Sequence, residues 1–364
     1  MSADQATWRR TRKLGLTAHN PEKAFPGYTL YAPMFGDGTV YLLDMEGNTV
    51  HSWNAPLPPG DYCYLLPNGN LFYLGKTPVA PGAFFSTWHL FSGGALMEID
   101  WDGNIVGEHR DPAQHHDGRR TESGGAVYLT VEEVPTDLVA KIQGGIPGTE
   151  HDGKMWSDRV VEVDANGETV WEWHAWEHLD PENDAILETA LRHEWTHGNT
   201  IVPLPGGDVM VSFRSISTVA RIDRATGDFV WRLGAPLLSQ QHDPSMLPNG
   251  NVLIFNNGTR RRHPLVFSNV IEVEPESGNV AWDYRDGSSL GGFYSTYISG
   301  AQRRPNGNTL ICEGVPGRIF EVTTEAEIVW EYINPHFSDV TAFGTNNAVF
   351  RAFRYGPECF PRLG

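Results

Sequence analysis

The chain has 364 residues, of which 39 are glycine and 25 are proline, and its formal net charge is −18. This composition, with 11% aromatic residues, is typical of many short strands joined by tight turns rather than of long helices. An acidic surface repels phosphate backbones, so the charge argues against nucleic acid as a partner.

The cysteines and the N-terminal segment indicate a cytoplasmic protein. The three cysteines are far apart in sequence, and neither a CxxC pair nor a zinc-binding spacing occurs, which argues against a disulfide framework. Residues 1–27 are polar, with a short basic run and no apolar stretch after it, so no secretory signal is visible. No apolar run is long enough to cross a membrane. We therefore expect a soluble protein with no membrane partner, and the sequence leaves its oligomeric state open.

After this N-terminal extension of residues 1–27, one sequence unit recurs along the chain. Its second half is an alternating strand that ends in an acidic residue, a short glycine-containing turn, and a strand with an aromatic residue near its end. In chain order the copies are VYLLDMEGNTVHSW (40–53), LMEIDWDGNIVGEH (96–109), VVEVDANGETVWEW (160–173), VARIDRATGDFVWRL (219–233), VIEVEPESGNVAWDY (270–284) and IFEVTTEAEIVWEY (319–332).

A first half precedes most of these copies and consists of a strand, a Pro-Asn-Gly hairpin turn and another strand. Four strands in each unit are typical of a propeller blade. The copies are YCYLLPNGNLFYLG (62–75), SMLPNGNVLIFNN (245–257) and AQRRPNGNTLICEG (301–314), with weaker ones at IVPLPGGDVMVSF (201–213) and RRTESGGAVYLTV (119–131).

The two ends of the repeat predict how the ring closes. The first copy lacks its first half, and the strand NAVFRAFRY (347–355) is left over near the C-terminus. We therefore predict an all-β chain with one six-bladed β-propeller domain over residues 28–356, closed between N-terminal and C-terminal strands, and a tail of residues 357–364. Two β-sandwiches, the alternative, explain neither the constant unit nor the unpaired ends. The predicted blades are 28–54 plus 340–356, 61–110, 115–174, 197–234, 241–286 and 298–334.

The loops of this predicted propeller are of two kinds. The turns inside each hairpin are tight, whereas the long insertions 76–94, 133–158, 175–195 and 258–267 all lie on the opposite face, which therefore carries lids. Within them, residues 180–194 predict a short helix with an acidic first turn. Because function concentrates in loops held by a rigid scaffold, we expect the site at the lidded mouth of the channel.

Polar residues recur at the start of the innermost strands. Counting eight residues back from each hairpin glycine finds Asp61, His116, Asn199, His242 and Ser299. His197 lies two residues before Asn199, and Arg214 follows the second strand of the same blade. Three imidazoles and a guanidinium in one concavity predict a site for an anion. A neutral imidazole among them can act as a nucleophile or a base.

At these positions the sequence resembles the arylsulfate sulfotransferase family, the type that does not use the nucleotide sulfate donor. The resemblance implies a six-bladed propeller in which one histidine, His242 by motif order, is transiently sulfated. It implies that His116, His197, Asn199 and Arg214 bind the sulfuryl oxygens, with Ser299 at the corresponding place on the next blade. The matching stretches are HHD (115–117), WTHGNTI (195–201), SFR (212–214), VARIDRATGDFVWRLGAP (219–236), QHDPSMLPNGNVLIFNNG (241–258) and AQRRPNGNTLICEGVPGRIFEV (301–322).

The main hypothesis is therefore an arylsulfotransferase-like transferase that moves a sulfuryl group from an aryl sulfate to a phenol and requires no cofactor. Arginine and N–H-donating histidine are suited to stabilise the negative charge that spreads over the sulfuryl oxygens as the group leaves a phenol. Two displacements at one site predict ping-pong kinetics. We expect a small anionic or aromatic substrate. Further predicted contacts are Asp61, the hydroxyls of Tyr294 and Tyr297, and the aromatic walls Phe84, Phe85, Trp88 and Trp156.

Two other functions remain open from the sequence. One is a lyase or hydrolase in which His116, His197 and His242 hold a divalent metal, with Asp61 or Asp243 nearby, although no HxH or HExxH motif occurs. The other is a non-catalytic binding propeller. The basic run of residues 260–263 is a candidate second anion contact.

Overall fold

The computed structural model describes residues 13–261, 265–286 and 292–363, and this part of the chain is built from sheets with very little helix. Six antiparallel sheets form six blades, numbered here in chain order. From the inner to the outer strand they are as follows. Blade 1 has Val349–Tyr355, Tyr28–Pro33, Thr39–Leu43 and Thr49–Asn54; blade 2 has Pro59–Leu65, Leu71–Lys76, Gly94–Ile99 and Ile105–Arg110; blade 3 has Gln114–Arg120, Ala126–Glu133, Trp156–Val163 and Thr169–His174. Blade 4 has Gly198–Pro203, Val209–Phe213, Thr218–Ile222 and Phe229–Leu233; blade 5 has His242–Met246, Val252–Asn256, Asn269–Val273 and Val280–Tyr284; blade 6 has Gly300–Arg303, Thr309–Glu313, Arg318–Val322 and Ile328–Ile333.

The predicted ring closure is confirmed. Tyr28–Pro33 pairs antiparallel with Val349–Tyr355, so that Tyr28 lies opposite Tyr355 and one blade contains both ends of the repeat. The protein is therefore an all-β, six-bladed propeller, as the repeat predicts. Within the predicted extension, Gly15–His19 forms a fifth, outermost strand on blade 6, where it pairs antiparallel with Ile328–Ile333.

Burial along the strands explains why these segments adopt them. The second strand of a blade lies between two sheets, and in blade 4 every residue of Val209–Phe213 is buried. The outer strands of blades 1 to 5 alternate instead, because one side of each faces solvent. Tryptophans of three outer strands are buried and donate their indole N–H to a backbone carbonyl of the next blade: Trp53 to Asp100 at 2.9 Å, Trp173 to Gly227 at 2.9 Å, and Trp330 to Met45 at 2.8 Å.

The remaining elements are short and lie in the connections. Ile186–Leu191 pairs in parallel with Gly144–Ile146, and Ser338–Val340 forms a hairpin with Gly344–Asn346. Two α-helical turns and three 3₁₀ turns complete the described part: Thr136–Val139, Ala175–His178, Trp88–Leu90, Pro357–Cys359 and Pro361–Leu363. None of its helices is long and apolar enough to cross a bilayer.

The helix predicted over residues 180–194 is wrong. The acidic residue that suggested a helix start, Asp180, closes a turn instead: its carboxylate accepts the backbone N–H of Glu182 at 2.9 Å and of Asn183 at 3.2 Å. The apolar residues that follow form the strand Ile186–Leu191. Local side-chain hydrogen bonds of this kind compete with helix formation.

Candidate active site

A cavity of about 290 Å³ lies where the inner strands of blades 3, 4 and 5 begin. We call it the mouth cavity. Long inter-strand loops contribute to its wall, and its lining combines ionisable side chains with a larger apolar surface. The ionisable residues are His116, His193, Glu194, His197, Arg214, His242 and Arg260; the apolar and aromatic residues include Met34, Leu90, Phe91, Leu191, Tyr297, Phe343 and Phe350.

The backbone is bent at the points where the inner strands enter this region. His116 and His197 both have a φ of 50°, in the left-handed region that non-glycine residues rarely adopt. Asp243, directly after His242, has the same value, and Ser299 has a φ of 90°. Strained backbone of this kind persists only where the surrounding structure holds it, and it clusters at functional sites. Near these bends, His116, His197 and His242 line one cavity.

His242 is held in one tautomer. Its Nδ1 lies 2.7 Å from Oδ1 of Asn257, and the Asn257 amide nitrogen donates to the carbonyls of Ser295 and Ile298 at 2.9 Å each. Because the amide oxygen is thereby turned towards the ring, Nδ1 of His242 carries the proton and Nε2 is unprotonated. The backbone N–H of Ile298 donates to that Nε2 at 3.2 Å. Burial, followed by the charge of Arg214, lowers the pKa of His242 well below its usual range, so the ring is neutral.

His197 is paired with a carboxyl group. Its Nδ1 lies 2.8 Å from Oε2 of Glu194, and the other carboxyl oxygen of Glu194 is buried without a hydrogen-bond partner among the described residues. Burial raises the pKa of Glu194 to about 7. Burial and then the Arg214 charge lower the pKa of His197 well below its usual range. The pair therefore holds a proton up to near-neutral pH, and that proton is shared between an oxygen and a nitrogen.

His116 is linked to two buried residues, His115 and Asp158. Its Nδ1 lies 2.7 Å from Nδ1 of His115, and Nε2 of His115 lies 3.1 Å from Oδ1 of Asp158. Burial, followed by the neighbouring His197 ring, lowers the pKa of His116 well below its usual range. The rings of His116 and His197 are close, with centroids 4.8 Å apart.

Arg214 is a buried cation of the mouth cavity that lacks a carboxylate partner among the described residues. No ion pair joins it to a carboxylate in the described part of the chain, and its buried Nε has no hydrogen-bond partner there. Burial, and then the charge of Arg260, lower the pKa of Arg214 to about 10, so it remains charged at neutral pH. A buried charge without a counter-charge is costly, and an anion bound in the cavity would supply one.

Beneath the mouth cavity a buried ion network fills the channel. Arg351 lies 3.0 Å from Oδ2 of Asp117 through Nη1 and 3.1 Å from Oδ1 of Asp243 through Nε. It also donates to the carbonyl of Asn199 at 2.8 Å and to the hydroxyl of Thr200 at 2.6 Å. These contacts tie blades 1, 3, 4 and 5 together.

The predicted site residues divide into two groups. The structure brings His116, His197, Arg214, His242 and Tyr297 to the surface of the mouth cavity, together with Arg260 of the basic run. Arg262 and His263 lie outside the described residues.

The other predicted residues are packed away from the mouth cavity. The amide of Asn199 donates to the carbonyl of Gln241 at 2.8 Å, and the hydroxyl of Ser299 donates to that of Ser295 at 2.8 Å. Asp61 is buried, which raises its pKa, and Tyr294 does not reach the cavity lining. Trp88 packs with the other predicted aromatic walls in a cluster of Phe84, Phe85, Trp88, Phe91, Val131 and Trp156, of which Phe91 alone lines the cavity.

Four supporting residues were not identified from the sequence: Glu194, Asn257, His115 and Asp158. The stretches RHEW (192–195), FNNG (255–258), HHD (115–117) and WSDR (156–159) contain them, but no periodicity in the sequence shows which neighbouring segment each side chain contacts. The described residues contain no group of three or more His, Cys, Asp or Glu side chains that could hold a metal ion.

Comparison with known proteins assigns the chain to a family. Among solved structures, a protein of unknown function from Bacteroides caccae shares the fold with a TM-score of 0.53 and 13% identity, over 91% of this chain and 99% of that one. A virginiamycin B lyase from Staphylococcus aureus aligns with a TM-score of 0.42 and 12% identity, over 75% of this chain and 69% of that one. No curated protein matches the chain. The sequence profile described as "Arylsulfotransferase (ASST)" matches residues 84–335, and the chain belongs to that family.

Proposed function

We propose that the protein transfers a sulfuryl group from an aryl sulfate to a phenol, with His242 as the group that carries it between the two. One observation supports this above all others. The unpaired cation Arg214 shares the mouth cavity with a neutral imidazole, His242, whose Nε2 is held unprotonated by Asn257. An anion site and a nucleophile are thus in one place.

In the first step, Nε2 of His242 attacks the sulfur of the aryl sulfate, the N–S bond forms, and the bond from sulfur to the phenolic oxygen breaks. The Ile298 N–H bond to Nε2 is given up as this happens. Negative charge on the sulfuryl oxygens is stabilised by Arg214. His197 contributes as well, because the proton it shares with Glu194 allows Nε2 of His197 to donate a hydrogen bond into the cavity.

In the second step, the oxygen of a phenol attacks the same sulfur, and the N–S bond breaks to regenerate His242. The phenolic proton passes to Nε2 of His116, which can act as the base because its ring is neutral. Both steps use only side chains of this chain. The apolar lining from Phe91, Phe350 and Leu90 suits an aromatic ring in either half of the reaction.

The experiment is a transfer assay with purified protein, an aryl sulfate donor and a phenol acceptor, combined with mass spectrometry of protein exposed to donor alone. We expect sulfated acceptor, ping-pong kinetics, and a sulfuryl adduct on His242 that acceptor removes. His242→Ala abolishes both signals, whereas His89→Ala, at an exposed histidine outside the mouth cavity, leaves both unchanged. Absence of transfer from a range of aryl sulfates, or transfer that survives His242→Ala, contradicts the proposal.

A further inference from the structure

A line of three buried polar residues runs from the mouth cavity into the protein. His116 is 3% exposed, His115 is fully buried and Asp158 is 1% exposed. The carboxylate of Asp158 is itself fixed, because its Oδ2 accepts the backbone N–H of Gly198 at 2.7 Å. The only end of this line that reaches the cavity is His116.

The order of atoms along the line determines where protons sit. Nε2 of His115 lies 3.1 Å from Asp158 Oδ1, in a geometry that is an ion-pair contact rather than an aligned hydrogen bond. The carboxylate charge favours the proton on that Nε2, so Nδ1 of a neutral His115 has the lone pair. Nδ1 of His116, at 2.7 Å, must then be the donor between the two rings. This leaves Nε2 of His116 unprotonated and able to accept a proton from the cavity.

The same order determines where a positive charge goes after His116 accepts a proton. An imidazolium at His116 is disfavoured by burial, by the neighbouring His197 ring and by Arg214. Movement of the Nδ1 proton from His116 to Nδ1 of His115 transfers the charge to His115, where it lies 3.1 Å from a carboxylate. The proton count balances: one proton enters at Nε2 of His116, one crosses between the two Nδ1 atoms, and none is lost to solvent.

We propose that His115 and Asp158 form a buried proton relay behind His116, which stores the proton taken from the acceptor phenol and returns it to the departing phenolate of the next donor. His115 and Asp158 are positioning residues that act through His116. This inference rests on the proposed sulfuryl transfer, and it assigns a function to two residues that do not touch the mouth cavity.

The test compares donors that need the returned proton with donors that do not. Phenyl sulfate releases a basic phenolate that needs a proton, whereas 4-nitrophenyl sulfate releases a weakly basic one. For His115→Asn and Asp158→Asn we expect kcat/KM for the donor, measured in turnover with an acceptor phenol that loads the relay, to fall at least about tenfold more with phenyl sulfate than with 4-nitrophenyl sulfate, since general acid–base assistance contributes about 10² to 10⁴ in rate. The control is His174→Asn, which removes another histidine–carboxylate pair, His174–Glu132 at 2.8 Å, outside the cavity.

Equal losses with both donors indicate a purely structural role and overturn the relay, as does an unchanged rate with phenyl sulfate. Sulfation of His242 by 4-nitrophenyl sulfate in these same variants tests the proposed function separately, because that step needs no relay. If neither variant folds, the wild-type protein decides the matter. The rate with phenyl sulfate is measured at several deuterium fractions of the solvent. A curved dependence supports the transfer of two protons in the relay, and a linear dependence contradicts the relay.

Discussion

Arg214 gives the mouth cavity a buried positive charge. Its charge is buried and no carboxylate of the described residues neutralises it, while the three histidines around it are kept neutral by burial. The free energy lost on burying the guanidinium is therefore recovered only when an anion enters. A carboxylate paired with Arg214 would occupy the place of the anion. The carboxyl group in the described lining of the cavity, that of Glu194, is already paired with His197.

Replacement of Arg214 by methionine separates binding from folding. We expect sulfate to raise the Tm of the wild-type protein relative to chloride at equal ionic strength, because a ligand that binds the native state alone stabilises it. Arg214→Met loses this response, and without sulfate its Tm is equal to or above that of the wild type, since an unpaired buried charge has been removed. Thermal unfolding measures both, with Arg221→Met, at an arginine paired with Asp208, as the control. A variant that still responds to sulfate contradicts the role of Arg214.

At the residue scale, the sequence predicts the side chains that converge but not the groups that orient them. His116, His197 and His242 could be found because each lies next to the start of an inner strand, a position that the repeat marks. Asn199 and Ser299 occupy similar sequence positions, yet Asn199 binds the backbone of Gln241 and Ser299 binds Ser295 in the preceding connection. Asn257 and Asp158 reach the histidines through contacts between segments that no local pattern connects.

At the scale of single elements, the strand Gly15–His19 shows how an extension becomes part of the fold. It covers the outer edge of blade 6, an edge that would otherwise present unpaired backbone groups. One buried side chain anchors it: the hydroxyl of Thr17 donates to Oε2 of Glu331 at 2.6 Å. The other oxygen of Glu331 accepts from Arg318 at 2.6 Å.

Thr17→Val keeps the shape of this side chain and removes the hydrogen bond. We expect the free energy of unfolding to fall by about 1 to 3 kcal/mol, because a buried carboxylate oxygen loses its donor. Urea denaturation measures the change, and Thr169→Val, at an exposed position of an outer strand, is the matched control. An effect no larger than that of the control would mean that Gly15–His19 is held by its backbone pairing alone.

The elements themselves were predictable where two independent signals agreed. In the blades, alternation of apolar residues coincides with glycine turns at fixed positions, and the sheets follow that pattern. Residues 180–194 had only one signal, an acidic start before apolar residues, and the carboxylate of Asp180 satisfies its own turn instead. The long connections carry no repeat, so their parallel pairing between Gly144–Ile146 and Ile186–Leu191 could not be foreseen.

At the scale of the whole molecule, Arg351 joins blades that are distant in sequence. It is fully buried between the carboxylates of Asp117 and Asp243, and each of these also accepts a backbone N–H from the next inner strand, at Ile201 and Ala301 respectively. The network therefore fixes the rotation of neighbouring blades about the channel, directly below the mouth cavity.

Arg351→Met leaves two buried carboxylates with too little positive charge, and we expect it to destabilise the protein by about 3 to 5 kcal/mol. The triple variant with Asp117→Asn and Asp243→Asn recovers much of that loss, because the two buried carboxylate charges are removed together with the guanidinium. The recovery is incomplete, because Arg119 loses its ion pair with Asp117. Chemical denaturation of the three proteins gives the comparison. If Arg351→Met unfolds at the wild-type midpoint, the network does not hold the blades.

Pairing of Tyr28–Pro33 with Val349–Tyr355 has a consequence for how the protein is made. On the ribosome, the first three strands of blade 1 are synthesised early. The edge of Tyr28–Pro33 that pairs with Val349–Tyr355 stays unpaired until the other five blades have been synthesised. Contacts between segments so far apart form slowly, and an exposed strand edge during that interval invites association with other nascent chains. A polypeptide that ends before residue 349 would keep that strand edge unpaired permanently. Its ring of blades would stay incomplete, and the exposed edge would be open to recognition by the quality-control machinery.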